Sequence, residues 1–148
     1  MIASLAAGSC SEIRNAVEDF LRLVWTPGDA RPDLLPLIRA LDRLAWLACG
    51  CKFDFDDACY PEPPARMNSR AFSQAEVWLQ RFRSGVADDH YAIAVDNLAG
   101  IINDLEAVAW RFENTSAADA LFDFELGFQS HWGRHLRSLQ LFLHEQWW

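Results

Sequence analysis

The feature that most constrains this chain is the apolar repeat over residues 116–148. At about 100° per residue, one face of a helix would carry a continuous apolar stripe: Leu121, Phe124, Phe128, Trp132, His135, Leu136, Leu139, Phe142 and Leu143. Ser116 is suited to cap this helix, and Asp119 in the first turn favours the positive end of the helix dipole. The pattern predicts one long C-terminal helix with Trp132 in the core.

The opposite side of this predicted helix is not uniformly polar. Leu126 and Leu141 lie there among charged residues. Gly127 and Gly133 each cost about 1 kcal/mol relative to Ala inside a helix, so we expect another backbone to approach closely at these positions. The helix is therefore expected to be central, or to form an interface, including one between two copies of the chain through Leu126 and Leu141.

Four further helical patterns precede it, and no segment predicts a convincing strand. Their expected bounds are 9–25, capped by Ser9; 33–50, capped by Asp33; 69–85; and 97–113. Residues 51–64 lack helical periodicity and predict a long loop, which we call the acidic loop. Residues 86–97 are compatible with an extended segment or a helix. The predicted fold is a single all-α domain over residues 1–148, an antiparallel bundle of about five helices.

Charge and composition restrict the partners. The net charge of −8 argues against binding to nucleic-acid phosphates or to an anionic membrane, and favours a basic protein partner. The N-terminal segment lacks the features of a signal peptide, and no apolar run reaches the length of a membrane span, so we expect a cytoplasmic protein. In that compartment the four cysteines are expected to be thiols.

Two segments carry a family resemblance. Residues 96–105 read Asp-Asn-Leu-Ala-Gly-Ile-Ile-Asn-Asp-Leu, and residues 128–136, after Ala120-Leu121-Phe122, read Phe-Gln-Ser-His-Trp-Gly-Arg-His-Leu. Together they resemble the bacterial family known as domain of unknown function 5063, which has an Asp-rich helix followed by a helix with a His-Trp-Gly-x-His signature. The resemblance implies an all-helical bundle. It implies no activity, because none is established for the family.

The histidines of that signature allow two interpretations. His131 and His135 are one helical turn apart, which lets two imidazoles reach one metal ion, with Asp104 as a candidate third ligand. A metal-dependent enzyme or metal sensor would follow. Alternatively, His135 donates a ring N–H to a buried acceptor and holds two helices in register, while Asp104 pairs with Arg134 or Arg137. We favour the second interpretation and predict no cofactor.

An interaction protein is the function that the composition favours most. The acidic loop combines Asp54, Phe55, Asp56 and Asp57, and the terminus adds Trp147 and Trp148 as aromatic anchors. The most concrete form is an immunity or inhibitor protein for a basic toxin or enzyme that acts in the cytoplasm. The competing interpretation of the loop is structural: Phe53 and Phe55 would tuck beneath it and cap the core.

Overall fold

The computed structural model describes residues 2–28, 31–65 and 68–147, and the side chains of residues 2–9, 68 and 69 lie outside the description. Within these ranges the chain is helical and contains no strand, so the predicted all-α class is confirmed. The helices number six rather than about five, and a single 3₁₀ turn, Gln80–Phe82, follows the third. They are α1, Ile2–Trp25; α2, Leu35–Ala48; α3, Asn68–Leu79; α4, Asp88–Asn114; α5, Ala117–Ser130; and α6, Trp132–Trp147.

The prediction of one uninterrupted C-terminal helix is wrong, because the chain leaves the helical conformation at His131. This residue has φ −145° and ψ −80° and ends α5, while its N–H still donates to the carbonyl of Gly127 at 2.8 Å. The turn is compact: a Cβ added to Gly133 would overlap the carbonyl oxygen of Phe128. Gly133 therefore permits a close backbone approach, as predicted, but the backbone belongs to the preceding helix.

The apolar stripe is buried although the helix that carries it is broken. Trp132 is 0% exposed and lies between Phe124 and Phe128, with ring centroids 5.1 Å and 5.0 Å away. Its indole N–H donates to the carbonyl of Phe124 at 3.2 Å. A Cβ on Gly127 would lie 2.8 Å from Cδ1 of Trp132, so this glycine makes room for a side chain and not for a backbone.

Several predicted boundaries also change. Helix α1 begins at Ile2, so Ser9 lies inside the helix and not at its start. Helix α4 begins at Asp88, so residues 88–97 of the undecided segment are helical. Asp33 does act at the start of α2, where its carboxylate accepts a hydrogen bond from the backbone of Leu35 at 3.1 Å.

One apolar cluster contains side chains from all six helices. Helix α4 packs against α1, α3, α5 and α6, so α4 and not the C-terminal segment is the central helix. Its position follows from its length of 27 residues and from a buried face that runs from Tyr91 to Val108. Across the described ranges no helix is both long and apolar enough to cross a membrane. All four cysteines are free thiols, as predicted.

Candidate functional site

A cleft with a volume of about 600 Å³ lies where α3, α4 and the α5–α6 junction meet. We call it the histidine cleft. Its polar lining is formed by Asp96, Asn103, Asp104, His131 and His135. Its less polar lining is formed by Phe72, Ala99 and Gly100. The break at His131 thus places both histidines of the His-Trp-Gly-Arg-His segment beside the centre of α4.

His131 is held by Asp104. Its Nδ1 lies 2.5 Å from a carboxylate oxygen of Asp104, which is 27 residues earlier in the chain. The predicted pairing of Asp104 with Arg134 or Arg137 is therefore replaced by a pairing with His131. Because Asp104 occupies Nδ1, it orients the imidazole and leaves Nε2 as the ring nitrogen available to a ligand.

His135 is held by Asn97, a residue that the sequence analysis missed. Nδ1 of His135 lies 2.8 Å from Oδ1 of Asn97, and Asn97 is only 7% exposed. The expected contact of His135 with a buried acceptor is present, and the acceptor is the side-chain carbonyl oxygen of Asn97. The signal in the sequence was a polar residue on the apolar face of α4, beside Leu98 and Ile101.

Gly100 brings the second imidazole close to α4. A Cβ at this position would lie 2.9 Å from both Cδ2 and Nε2 of His135, so only glycine leaves the ring its space. Burial of the ring, with a further contribution from His131, lowers the pKa of His135, while Asp96 and Asp104 act in the opposite direction. A neutral imidazole that donates from Nδ1 presents Nε2 as an acceptor.

The histidine pair by itself does not assemble a metal site. The two rings meet edge to face with centroids 4.8 Å apart. Nowhere in the described part of the chain do three or more His, Cys, Asp or Glu side chains form a group that could hold a metal ion. Asp104, the predicted third ligand, lies behind His131 and not beside its free nitrogen.

The acidic loop is fixed to α5 by its own side chains. The Asp56 carboxylate accepts hydrogen bonds from Ser116 Oγ at 2.7 Å, Tyr60 Oη at 2.9 Å and the backbone of Ala58 at 3.1 Å. The Ser116 bond, followed by the other two, lowers the pKa of this carboxyl group. Asp56 therefore makes three hydrogen bonds within the molecule, and its role in partner binding stays a prediction.

The two phenylalanines of the loop have different environments. The backbone N–H of Phe53 donates to Glu125 at 2.7 Å, and its partly buried ring packs on the core, as the structural interpretation predicted. Phe55 remains 68% exposed, although its ring meets the edge of Phe122 at 5.1 Å. Asp54 and Asp57 are exposed on either side of it.

The remaining predicted contact residues are dispersed. Trp147 packs partly buried against the core, and Trp148 lies outside the described residues. Leu126 and Leu141 are 48% and 58% exposed, but the first lies on α5 and the second on α6, and they line different cavities. Trp46 on α2, which the sequence analysis did not single out, is 82% exposed.

No family model, curated protein or solved structure matches this chain significantly. The chain offers two candidate sites: the histidine cleft, and the acidic loop around Phe55.

Proposed function

We propose that this protein is a non-catalytic binding protein that docks its acidic loop on a basic protein partner. The observation that carries the proposal is Phe55, a large aromatic side chain that is 68% exposed and yet held by an edge contact with Phe122. Asp54 and Asp57 flank it in solvent. An exposed aromatic side chain surrounded by charge is the composition of an interface anchor with a polar rim.

The contacts beneath the loop support the same function. Asp56 accepts three hydrogen bonds, and Glu125 accepts one from Phe53. A loop that is held in place before binding loses less conformational entropy when a partner arrives. Phe55 is thus exposed on a segment that hydrogen bonds hold in place, and the carboxylates that flank it favour a basic surface on the partner.

The net charge of −8 adds long-range attraction to any basic partner and raises the association rate. An immunity or inhibitor protein for a basic toxin or enzyme of the cytoplasm is the most concrete form of this proposal. We also propose that the helices form a single antiparallel domain. We further propose that the chain belongs to the family known as domain of unknown function 5063, because it contains the His-Trp-Gly-Arg-His segment.

The alternative is a metal-dependent enzyme or metal sensor centred on His131 and His135. The observation that favours it is that an acceptor holds Nδ1 of each ring, as is usual for metal-bound histidines. Elemental analysis of protein purified without added metal tests it, and we expect no stoichiometric zinc, iron or manganese. One ion per chain, lost in His131→Ala and His135→Ala, would reverse the order of the two functions.

Association kinetics test the proposed interface. The partner is captured from the native host with the intact protein, and rates are then measured with purified components. Replacing Asp54 and Asp57 together by Asn should lower the association rate and weaken its salt dependence, because both carboxylates steer encounter. Phe55→Ala should mainly raise the dissociation rate. Asp56 is left unchanged, since its loss would disturb the loop itself.

A matched control removes the same charge elsewhere. Glu12 and Glu145 are exposed residues outside the loop, and their joint replacement by Gln should leave the dissociation rate unchanged and affect association less. If the loop variant and this control bind the partner with the same rates at low and high salt, the acidic loop is not the interface.

A further inference from the structure

The lining of the histidine cleft is rich in hydrogen-bond acceptors. Its polar residues are two aspartates, two histidines and one asparagine, and none of the described lining residues is a Lys or Arg. Both histidines already use Nδ1, toward Asp104 and Asn97. When neutral, they add two acceptor nitrogens to the two carboxylates. The complementary ligand donates hydrogen bonds and carries positive charge.

The two aspartates that line the cleft lie eight residues apart on α4. Asp96, Gly100 and Asp104 are spaced four residues apart on α4, and all three line the cavity. A rise of 1.5 Å per residue separates Asp96 from Asp104 by about 12 Å along the helix axis. One compact cation does not span this distance, whereas two cationic groups on one flexible chain do.

Less polar residues also line the cleft. Gly100 has no side chain, Ala99 is beside it, and Phe72 of α3, which is 39% exposed, contributes an aromatic ring to the lining. His135 occupies the space above Gly100, where its Cδ2 and Nε2 would lie 2.9 Å from an added Cβ. The cavity therefore offers two separated carboxylates and a surface for an aliphatic chain.

We infer that the histidine cleft binds a linear aliphatic diamine or polyamine. One ammonium group pairs with Asp96 and another with Asp104, and the methylene chain lies against Phe72 and Ala99 between them. The imidazole nitrogens accept hydrogen bonds from amines along the chain. This site is separate from the acidic loop, and its assignment does not rest on the proposed binding of a basic protein.

Calorimetric titration with amines of graded length tests the inference. Spermidine carries ammonium groups that are far apart, and putrescine carries two that are closer together. Butylamine carries only one. We expect affinity to fall in that order, with butylamine at least about tenfold weaker than spermidine, because it forms one charge-assisted contact and not two. Equal affinity for butylamine and spermidine would overturn the inference, as would the absence of binding by spermidine at millimolar concentration.

Charge-matched variants separate the cleft from general attraction to an acidic protein. Asp96→Asn should weaken spermidine binding about tenfold, and Asp54→Asn, which removes the same charge from the acidic loop, should leave it unchanged. Asp104→Asn keeps an acceptor for His131 and should act like Asp96→Asn, provided that circular dichroism shows an intact fold. Equal losses in Asp54→Asn and Asp96→Asn would show that spermidine is attracted by net charge and would overturn the assignment.

Discussion

At the scale of single residues, the indole of Trp132 is a main component of the core at the α5–α6 junction. It is fully buried, contacts two aromatic rings and satisfies its N–H within the protein. Trp132→Ala should therefore lower the free energy of unfolding by about 3–5 kcal/mol, the usual range for deleting a buried large aromatic side chain. A denaturant titration measures this change.

The matched control is Trp46→Ala. This tryptophan is 82% exposed, and its replacement should change stability by less than about 0.5 kcal/mol. Equal effects of the two substitutions would contradict the placement of Trp132 in the core.

His135 should make stability depend on pH. Its pKa is lowered mainly by burial and then by His131, so the unfolded chain binds a proton at higher pH than the folded chain. The stability contributed by the neutral ring is complete above the unfolded pKa of about 6.5 and is lost as pH falls toward the folded value. As the pH falls from about 7 to about 5, the free energy of unfolding should decrease less in His135→Gln than in the unaltered protein.

Urea titrations across that pH range provide the measurement. His144→Gln removes an exposed histidine from α6 and serves as the control, which should keep the pH dependence of the unaltered protein. If His135→Gln keeps that dependence as well, the His135 ring does not make the contribution described.

At the scale of helices, the junction between α5 and α6 depends on Gly133. Its position against the carbonyl oxygen of Phe128 leaves no space for a methyl group, and the obstacle is backbone, which cannot rotate away. Gly133→Ala should therefore destabilise the protein by about 3 kcal/mol or more, at the upper end of the range for overpacking. Thermal or chemical unfolding followed by circular dichroism measures the loss.

Gly85→Ala provides the comparison for this junction. The nearest atom to an added Cβ there is 3.9 Å away, which is an ordinary contact distance. This variant should be close to neutral. A neutral Gly133→Ala would mean that the chain passes from α5 to α6 by another path.

At the scale of the whole molecule, a single core predicts a single unfolding transition. Side chains from all six helices belong to one apolar cluster, and α4 connects four of the other helices. Helical structure and tryptophan burial should therefore be lost together in a denaturant titration. Transitions that separate when followed by far-ultraviolet circular dichroism and by fluorescence would contradict the prediction of one domain.

Much of the fold could be predicted because helical periodicity is a local property. The class of the fold, the start of α2 near Asp33, the non-helical acidic loop and the burial of Trp132 all follow from residues within a few turns of one another. The apolar residues keep the same spacing on both sides of His131, because a single residue outside the helix hardly changes the face on which the following apolar side chains lie. For that reason the pattern did not reveal the break between α5 and α6.

The amino-acid sequence by itself thus determined an acidic, all-helical chain whose apolar faces must be buried together. Tertiary structure alone decided the polar pairs that build the candidate sites: His131 with Asp104, His135 with Asn97, and Ser116 with Asp56. These partners are 27, 38 and 60 residues apart. Helical spacing specifies which face a residue occupies, but the partner that it meets there depends on how the helices pack against one another.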